Sequence, residues 1–251
     1  MPADPIQVLQ AASSRQLSAR KPRLVIAGAT GAMGNAVLHQ LAGAAAFGPA
    51  QVLAREPMTA GLRGVAVLQL PSDDPATWPP AQADIGVVMF DPPRLFYDRE
   101  RALWTPRPEQ LPALAAWLKA SGARTLAIVL PHQQGRLPDA LKRGLASLDE
   151  QAVAALGFER LLVLRTASKP GAAEPTRALQ RLAHFMLSVF KYMVPSSEQP
   201  VRAAKVAQLL ALALRIAPAG IHVAAPETVW RAAQSGHLLD EARAWLQPHA
   251  Q

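Results

Sequence analysis

Short, largely apolar runs recur along the chain, and between them apolar residues repeat every three or four positions. The runs fall at residues 23–27, 51–54, 65–68, 85–90, 125–130 and 160–165. Each has the length of a strand, and none alternates with polar residues, which is the pattern of strands covered on both faces. Between them, residues 32–46 place Met33, Val37, Leu38 and Leu41 on one helical face. Residues 109–121 and 139–156 give two further helices, closed by Gly122 and Gly157. Pro92 and Pro93 stop the fourth strand. This alternation predicts an α/β fold: a doubly wound, mostly parallel Rossmann sheet.

The rhythm changes after Arg165. Gly171 and Pro175 mark a loop, and helices are expected at 176–193 and 203–216. Residues 221–223 read as a last edge strand and 226–233 as a short final helix. The expected organisation is an N-terminal extension (1–21) and one domain (22–251). Within that domain, residues from about 171 to 251 form a small helical region over the carboxyl ends of the strands, where a substrate pocket would be built.

Composition narrows the function classes. The chain has 251 residues, half of them hydrophobic and 18% charged, enough for a large core without covalent staples. It has no cysteine, which excludes disulfides, thiol nucleophiles and cysteine-ligated metals. The first twenty residues carry Asp4 and lack the apolar core of a secretory signal, and no run reaches the roughly 20 apolar residues of a membrane span. A cytoplasmic location is expected. The net charge is +8, but the arginines are spread through alanine-rich helices without interleaved aromatics. That distribution fits a solvated surface and an anionic small ligand better than nucleic acid. The histidines, His39 and His184 among them, show no metal-ligand spacing, and no metal is expected. The apolar stretch 185–194 reads as core or a lid over the pocket, with a homodimer surface as the alternative.

The chemistry concentrates in the turn Gly28-Ala29-Thr30-Gly31-Ala32-Met33-Gly34, which joins the first strand to the first helix. A dinucleotide pyrophosphate needs close backbone approach and the unpaired N–H groups of a helix N-terminus, and glycines at this spacing permit both. Gly28, Thr30, Gly31, Ala32, Met33 and Gly34 are therefore expected to bind the cofactor. Arg55 stands at the end of the second strand, where NAD-preferring sites carry Asp or Glu. A guanidinium there can pair with a 2′-phosphate and favours NADP, with NAD kept open by the adjacent Glu56. Phe90 and Asp91, ending the fourth strand, complete the expected cofactor set. For Asp91 a loop cap before Pro92 is an equal alternative.

The turn resembles that of the short-chain dehydrogenase/reductase superfamily, and in particular its atypical group with the NmrA-like and Tat-interacting oxidoreductase-like proteins. Residues 24–31, 156–160 leading into 163–165, Pro200-Val201 and Val206-Ala207 carry the resemblance, over roughly residues 22–235. It implies NAD(P) binding and reductase chemistry. It also implies a Tyr-x-x-x-Lys proton relay after the fifth strand, a serine ending that strand, and an aspartate after the third strand for adenine. The chain departs at each place. Lys142 falls near the tyrosine position, Ala146 near the lysine, Leu130-Pro131-His132 at the serine, and Leu70 at the aspartate, with Asp73 and Asp74 slightly later.

Three residues remain as candidates for catalysis. His132, just past the fifth strand, has an imidazole that can serve as an acid. Lys142 can contact a ribose or polarise a carbonyl. Tyr97 lies four residues before Arg101 and, if helical, shares its face, although pocket lining suits it better. Each has an alternative as an ordinary loop or surface residue. Two functions are consistent with these residues: a weak or unusual NADP-dependent reductase of a small carbonyl or alkene, or a non-catalytic NADP(H)-binding sensor or scaffold.

Overall fold

A computed structural model describes residues 20–58, 61–93, 98–132, 145, 147–167 and 202–247. Among these described residues seven strands form one sheet: β1 (Leu24–Ala27), β2 (Ala50–Ala54), β3 (Val65–Gln69), β4 (Ile85–Met89), β5 (Thr125–His132), β6 (Arg160–Ala167) and β7 (Gly220–Ala224). Their spatial order is β3-β2-β1-β4-β5-β6-β7, and all six pairings are parallel. The order reverses between β1 and β4, which defines a doubly wound Rossmann sheet with its switch point at that crevice.

The register is in line. Val65, Ala50, Leu24, Ile85, Thr125, Arg160 and Gly220 stand in one row across the sheet. The carboxyl ends of the central strands therefore gather along one edge. Side chains alternate between two cores, as the two-residue period of a strand requires. Leu24, Ile26, Val87, Val129 and Leu162 face one core; Val25, Ala27, Val88, Ile128 and Val163 face the other.

The first core is covered by α1 (Gly31–Ala42), which packs on α5 (Ala203–Ile216), with α6 (Pro226–Gln234) and α7 (Leu238–Leu246) beyond it. The second is covered by α3 (Leu111–Ala120) and α4 (Leu148–Ala155); the five-residue α2 (Asp98–Ala102) lies between β4 and α3. In the second core Trp78 meets Trp104 and Trp117 edge-on, with ring centroids 4.9 and 5.1 Å away. Such T-shaped contacts suit the aromatic quadrupole.

Several element boundaries differ from the sequence expectation for local reasons. α1 stops at Ala42, because Gly43 caps it and its N–H bonds His39 O. α3 begins at Leu111, after a 3-10 turn at Pro108–Gln110. Among the described residues α4 begins at Leu148, because Ser147 is extended there and its hydroxyl accepts from Glu150 N–H at 3.1 Å. Ser147-Leu148-Asp149-Glu150 has the spacing of a capping box, a start signal inside the expected helix. The last helix is α7 rather than 226–233; Leu238, Ala242, Trp245 and Leu246 share its inner face. Residues 203–224 build a further helical crossover and the seventh strand, which extend the sheet. The expected helix at 176–193 and the patch at 185–194 lie outside the described residues.

At the opposite end of the sheet, Asp84 accepts from Arg23 N–H at 2.8 Å and from Arg23 Nε at 3.2 Å. Burial alone would raise this carboxyl, but the two hydrogen bonds and the charges of Arg23 and Arg20 hold it below its ordinary value. Its stabilising effect is thus complete above the unfolded pKa of about 3.9 and is lost as pH falls through the lower folded value. At this half-exposed site the effect is about 1 kcal/mol or less. Asp84→Asn is expected to be less stable than the parent in urea at pH 7, with the gap closing toward pH 3.

Candidate functional site

The glycine turn sits at the carboxyl end of β1, beside the switch point. Gly28 and Gly31 have φ of +72° and +66°, in the left-handed region. A Cβ on Gly28 would lie 2.0 Å from Met89 O, and one on Gly34 would lie 2.4 Å from Gly28 O. The turn is thus closed to side chains on both sides: against β4 at Gly28 and within itself at Gly34. This is the close-approach backbone that the motif predicts.

The N-terminus of α1 is satisfied in an unusual way. Thr30 is the N-cap, but its side chain makes no cap hydrogen bond, and the first turn of the helix carries no acidic residue. The Thr30 hydroxyl instead donates to Asp91 O at 2.5 Å, and its oxygen stands 2.9 Å from Thr105 Oγ1. With the Thr30 proton committed to Asp91, Thr105 is the donor of that second bond. Two carboxylates from elsewhere in the chain cap the helix. Asp91 Oδ2 accepts from Met33 N–H at 3.1 Å, and Glu100 Oε2 accepts from Gly31 N–H at 3.0 Å. Negative charge is favoured here because the helix dipole and first-turn N–H groups both face it. Burial raises the Asp91 carboxyl above its ordinary value, and the Met33 hydrogen bond partly offsets this.

Asp91 lies two residues past β4 and acts as a cap, but the helix it caps is α1. Phe90 packs, partly buried, against the second core. Gly31 and Met33 are buried, while Ala32 is exposed.

Glu100 was not legible as a site residue. It belongs to a charged segment, Asp98-Arg99-Glu100-Arg101, that reads as surface, yet its side chain is buried at 4% exposure. The following residues cross the ends of β1 and β2. Arg55 N–H bonds Ala102 O (2.8 Å), Trp104 N–H bonds Leu53 O (2.9 Å), and Gly28 N–H bonds Trp104 O (3.2 Å). Trp104 is fully buried.

Arg55 extends from the end of β2, half-exposed, with its Nε 2.9 Å from Asp73 Oδ1. Asp73 is thus brought to the edge where the cofactor's adenosine half is expected, but it faces the guanidinium. His132 is the last residue of β5, paired in register with Ala167 of β6. Tyr97, Lys142 and Ala146 lie outside the described residues. On β6, the strand next to β5, the structure places a feature that sequence reasoning missed. Arg165 on β6 and Glu150 on α4 form a buried ion pair, Nη2 to Oε2 2.6 Å, with side chains 2% and 7% exposed. Arg165 pairs in register with Leu130, and the Thr166 hydroxyl lies 3.4 Å from Leu130 O.

Among the described residues no helix is long and apolar enough to cross a membrane. No group of three or more His, Asp or Glu side chains among them is arranged to hold a metal ion.

Strand order and glycine turn define the class: a doubly wound Rossmann fold. Neither a protein-family model nor a curated protein matches the chain. Solved structures resemble it. WbmH from Bordetella bronchiseptica, crystallised with NAD+, aligns with 85% of this chain and 81% of its own at 11% identity and a TM-score of 0.43. Vestitone reductase from alfalfa (Medicago sativa) aligns with 82% and 77% at 14% identity and a TM-score of 0.43. NmrA, a negative transcriptional regulator, aligns with 58% and 46% at 14% identity and a TM-score of 0.36. At these values the likeness is one of fold.

Proposed function

We propose that this chain binds a nicotinamide dinucleotide, with NADP(H) preferred, and acts as an oxidoreductase-like protein of weak or unusual activity on a small carbonyl or alkene. The observation that carries the proposal is the glycine turn: a side-chain-free backbone at a helix N-terminus whose N–H groups already hold anionic oxygens. Phosphate oxygens make the same demand on such donors.

Gly28, Gly31 and Gly34 would admit the pyrophosphate, with Thr30, Ala32 and Met33 supplying the first turn of the helix. Arg55 would leave Asp73 and pair with the 2′-phosphate, a bidentate contact stronger than an exposed carboxylate pair. The nicotinamide supplies hydride chemistry when bound. His132, the last residue of β5, is the proposed proton donor; Lys142 would contact the nicotinamide ribose or polarise the substrate carbonyl, and Tyr97 would line the pocket.

A non-catalytic, NADP(H)-responsive binder is the second reading, and a cytoplasmic location is proposed for either. The Glu100 carboxylate on Gly31 N–H favours it, because a ligand must compete for that donor.

Titration of the purified protein with NADPH and NADH, followed by a carbonyl and alkene panel monitored by cofactor absorbance, tests both readings. NADPH binding with slow turnover is expected. Binding without turnover across the panel leaves the second reading; no binding of either nucleotide overturns both. Arg55→Asp is expected to invert the NADPH preference, and an unchanged preference removes Arg55 from the site.

A further inference from the structure

We infer that Glu100 is an internal ligand of the pyrophosphate position, holding the glycine turn closed until a dinucleotide displaces it. The inference rests on the dinucleotide reading above and adds its regulation.

The caps on α1 can be separated by what each one needs. Asp91 lies two residues past β4 and is held by its own main chain, whose carbonyl accepts from Thr30. It is part of the sheet edge. Glu100 is reached from a five-residue helix whose Asp98, Arg99 and Arg101 are exposed. Of that helix's first four residues, Glu100 alone is buried, and its carboxylate lies 3.0 Å from the N–H of the central glycine of the turn. The C-terminal end of α2 is anchored independently: Ala102 and Trp104 bond the main chain of Leu53, Arg55 and Gly28. A swing of α2 about that anchor would withdraw Glu100 without taking Trp104 out of the core.

Glu100 thus sets a carboxylate on a first-turn N–H group, the kind of donor that a pyrophosphate oxygen would take. An anionic ligand arriving at Gly31 meets both a taken donor and a like charge. Withdrawing Glu100 removes both obstacles, so occupancy of the turn and the position of α2 are linked. A ligand that binds only the withdrawn state pays the cost of withdrawal in apparent affinity.

The test compares the parent with Glu100→Gln, which keeps size and an acceptor oxygen but removes the charge. NADPH and NADH are titrated into each, with circular dichroism confirming the fold. Affinity for both nucleotides is expected to rise at least tenfold in the variant. Equal or weaker binding by a folded variant overturns self-occupancy and leaves the dinucleotide reading intact. Binding by neither protein overturns both. Hydrogen exchange on the parent supplies a readout that does not depend on the variant's folding. Saturation with NADPH is expected to speed exchange in residues 98–102 while protecting 31–34. Unchanged or slower exchange at 98–102 in a saturated protein would show that Glu100 does not leave.

Discussion

Gly28→Ala is expected to lower stability by roughly 3 kcal/mol or more, and to abolish dinucleotide binding in whatever fraction stays folded. The new methyl group meets two independent costs. The left-handed backbone at φ +72° costs a non-glycine residue roughly 1–2 kcal/mol. The Cβ would also sit 2.0 Å from the carbonyl oxygen of Met89, in the middle of the sheet, where backbone cannot retreat without breaking parallel pairing. Overpacking of that kind adds roughly 1–3 kcal/mol. Urea denaturation reads the first effect as a lower midpoint, and nucleotide titration reads the second. Gly64→Ala is the control: its φ is also positive, +74°, but nothing lies within 4 Å of the added Cβ, so it carries only the conformational cost. Similar midpoints for the two variants would mean that the contact with Met89 is relieved cheaply.

Glu150→Ala is expected to be the other large effect, a loss of about 3–5 kcal/mol. It leaves the Arg165 guanidinium, 2% exposed, without the carboxylate 2.6 Å away. Removing one member of a buried pair costs far more than the intact pair contributes. A double replacement, Glu150→Leu with Arg165→Met, is therefore expected to recover most of the loss, because it removes both charges and keeps the volume. Denaturation midpoints of the single and double variants give the comparison. A double variant as unstable as the single would show that packing, rather than desolvation, sets the cost. Since Arg165 pairs in register with Leu130, two residues before His132, loosening the pair is also expected to disturb the proposed proton-donor edge.

How much of this was legible in the sequence depended on whether a feature is local. The strands rest on apolar runs, and residues 24–27 and 85–89 are buried on both sides as their composition implied. The glycine turn was legible because its backbone requirement is written in seven consecutive residues. Arg55 was legible by position, but Asp73 as its partner was not; an exposed aspartate eighteen residues later carries no mark of that pairing. Glu100 was opaque for a deeper reason. Its neighbours are all charged, so its burial follows from the path of the chain between β4 and α3, which no periodicity encodes. The same holds for Trp104, whose place is set by main-chain bonds to β1 and β2. Ser147 carried a readable signal, the capping-box spacing to Glu150, which marks a helix start inside an otherwise continuous apolar pattern.

The edge-on arrangement of Trp78, Trp104 and Trp117 gives the molecule an optical signature of its own. Indoles held about 5 Å apart at near-right angles couple their transitions, so this trio should dominate the near-ultraviolet circular dichroism of the fold. Trp104 belongs to the same short stretch as Glu100, while Trp78 and Trp117 stand on the segments after β3 and within α3. A label-free spectrum therefore reports on the neighbourhood of the glycine turn. A small rotation of the Trp104 ring against Trp78 becomes visible before any unfolding begins.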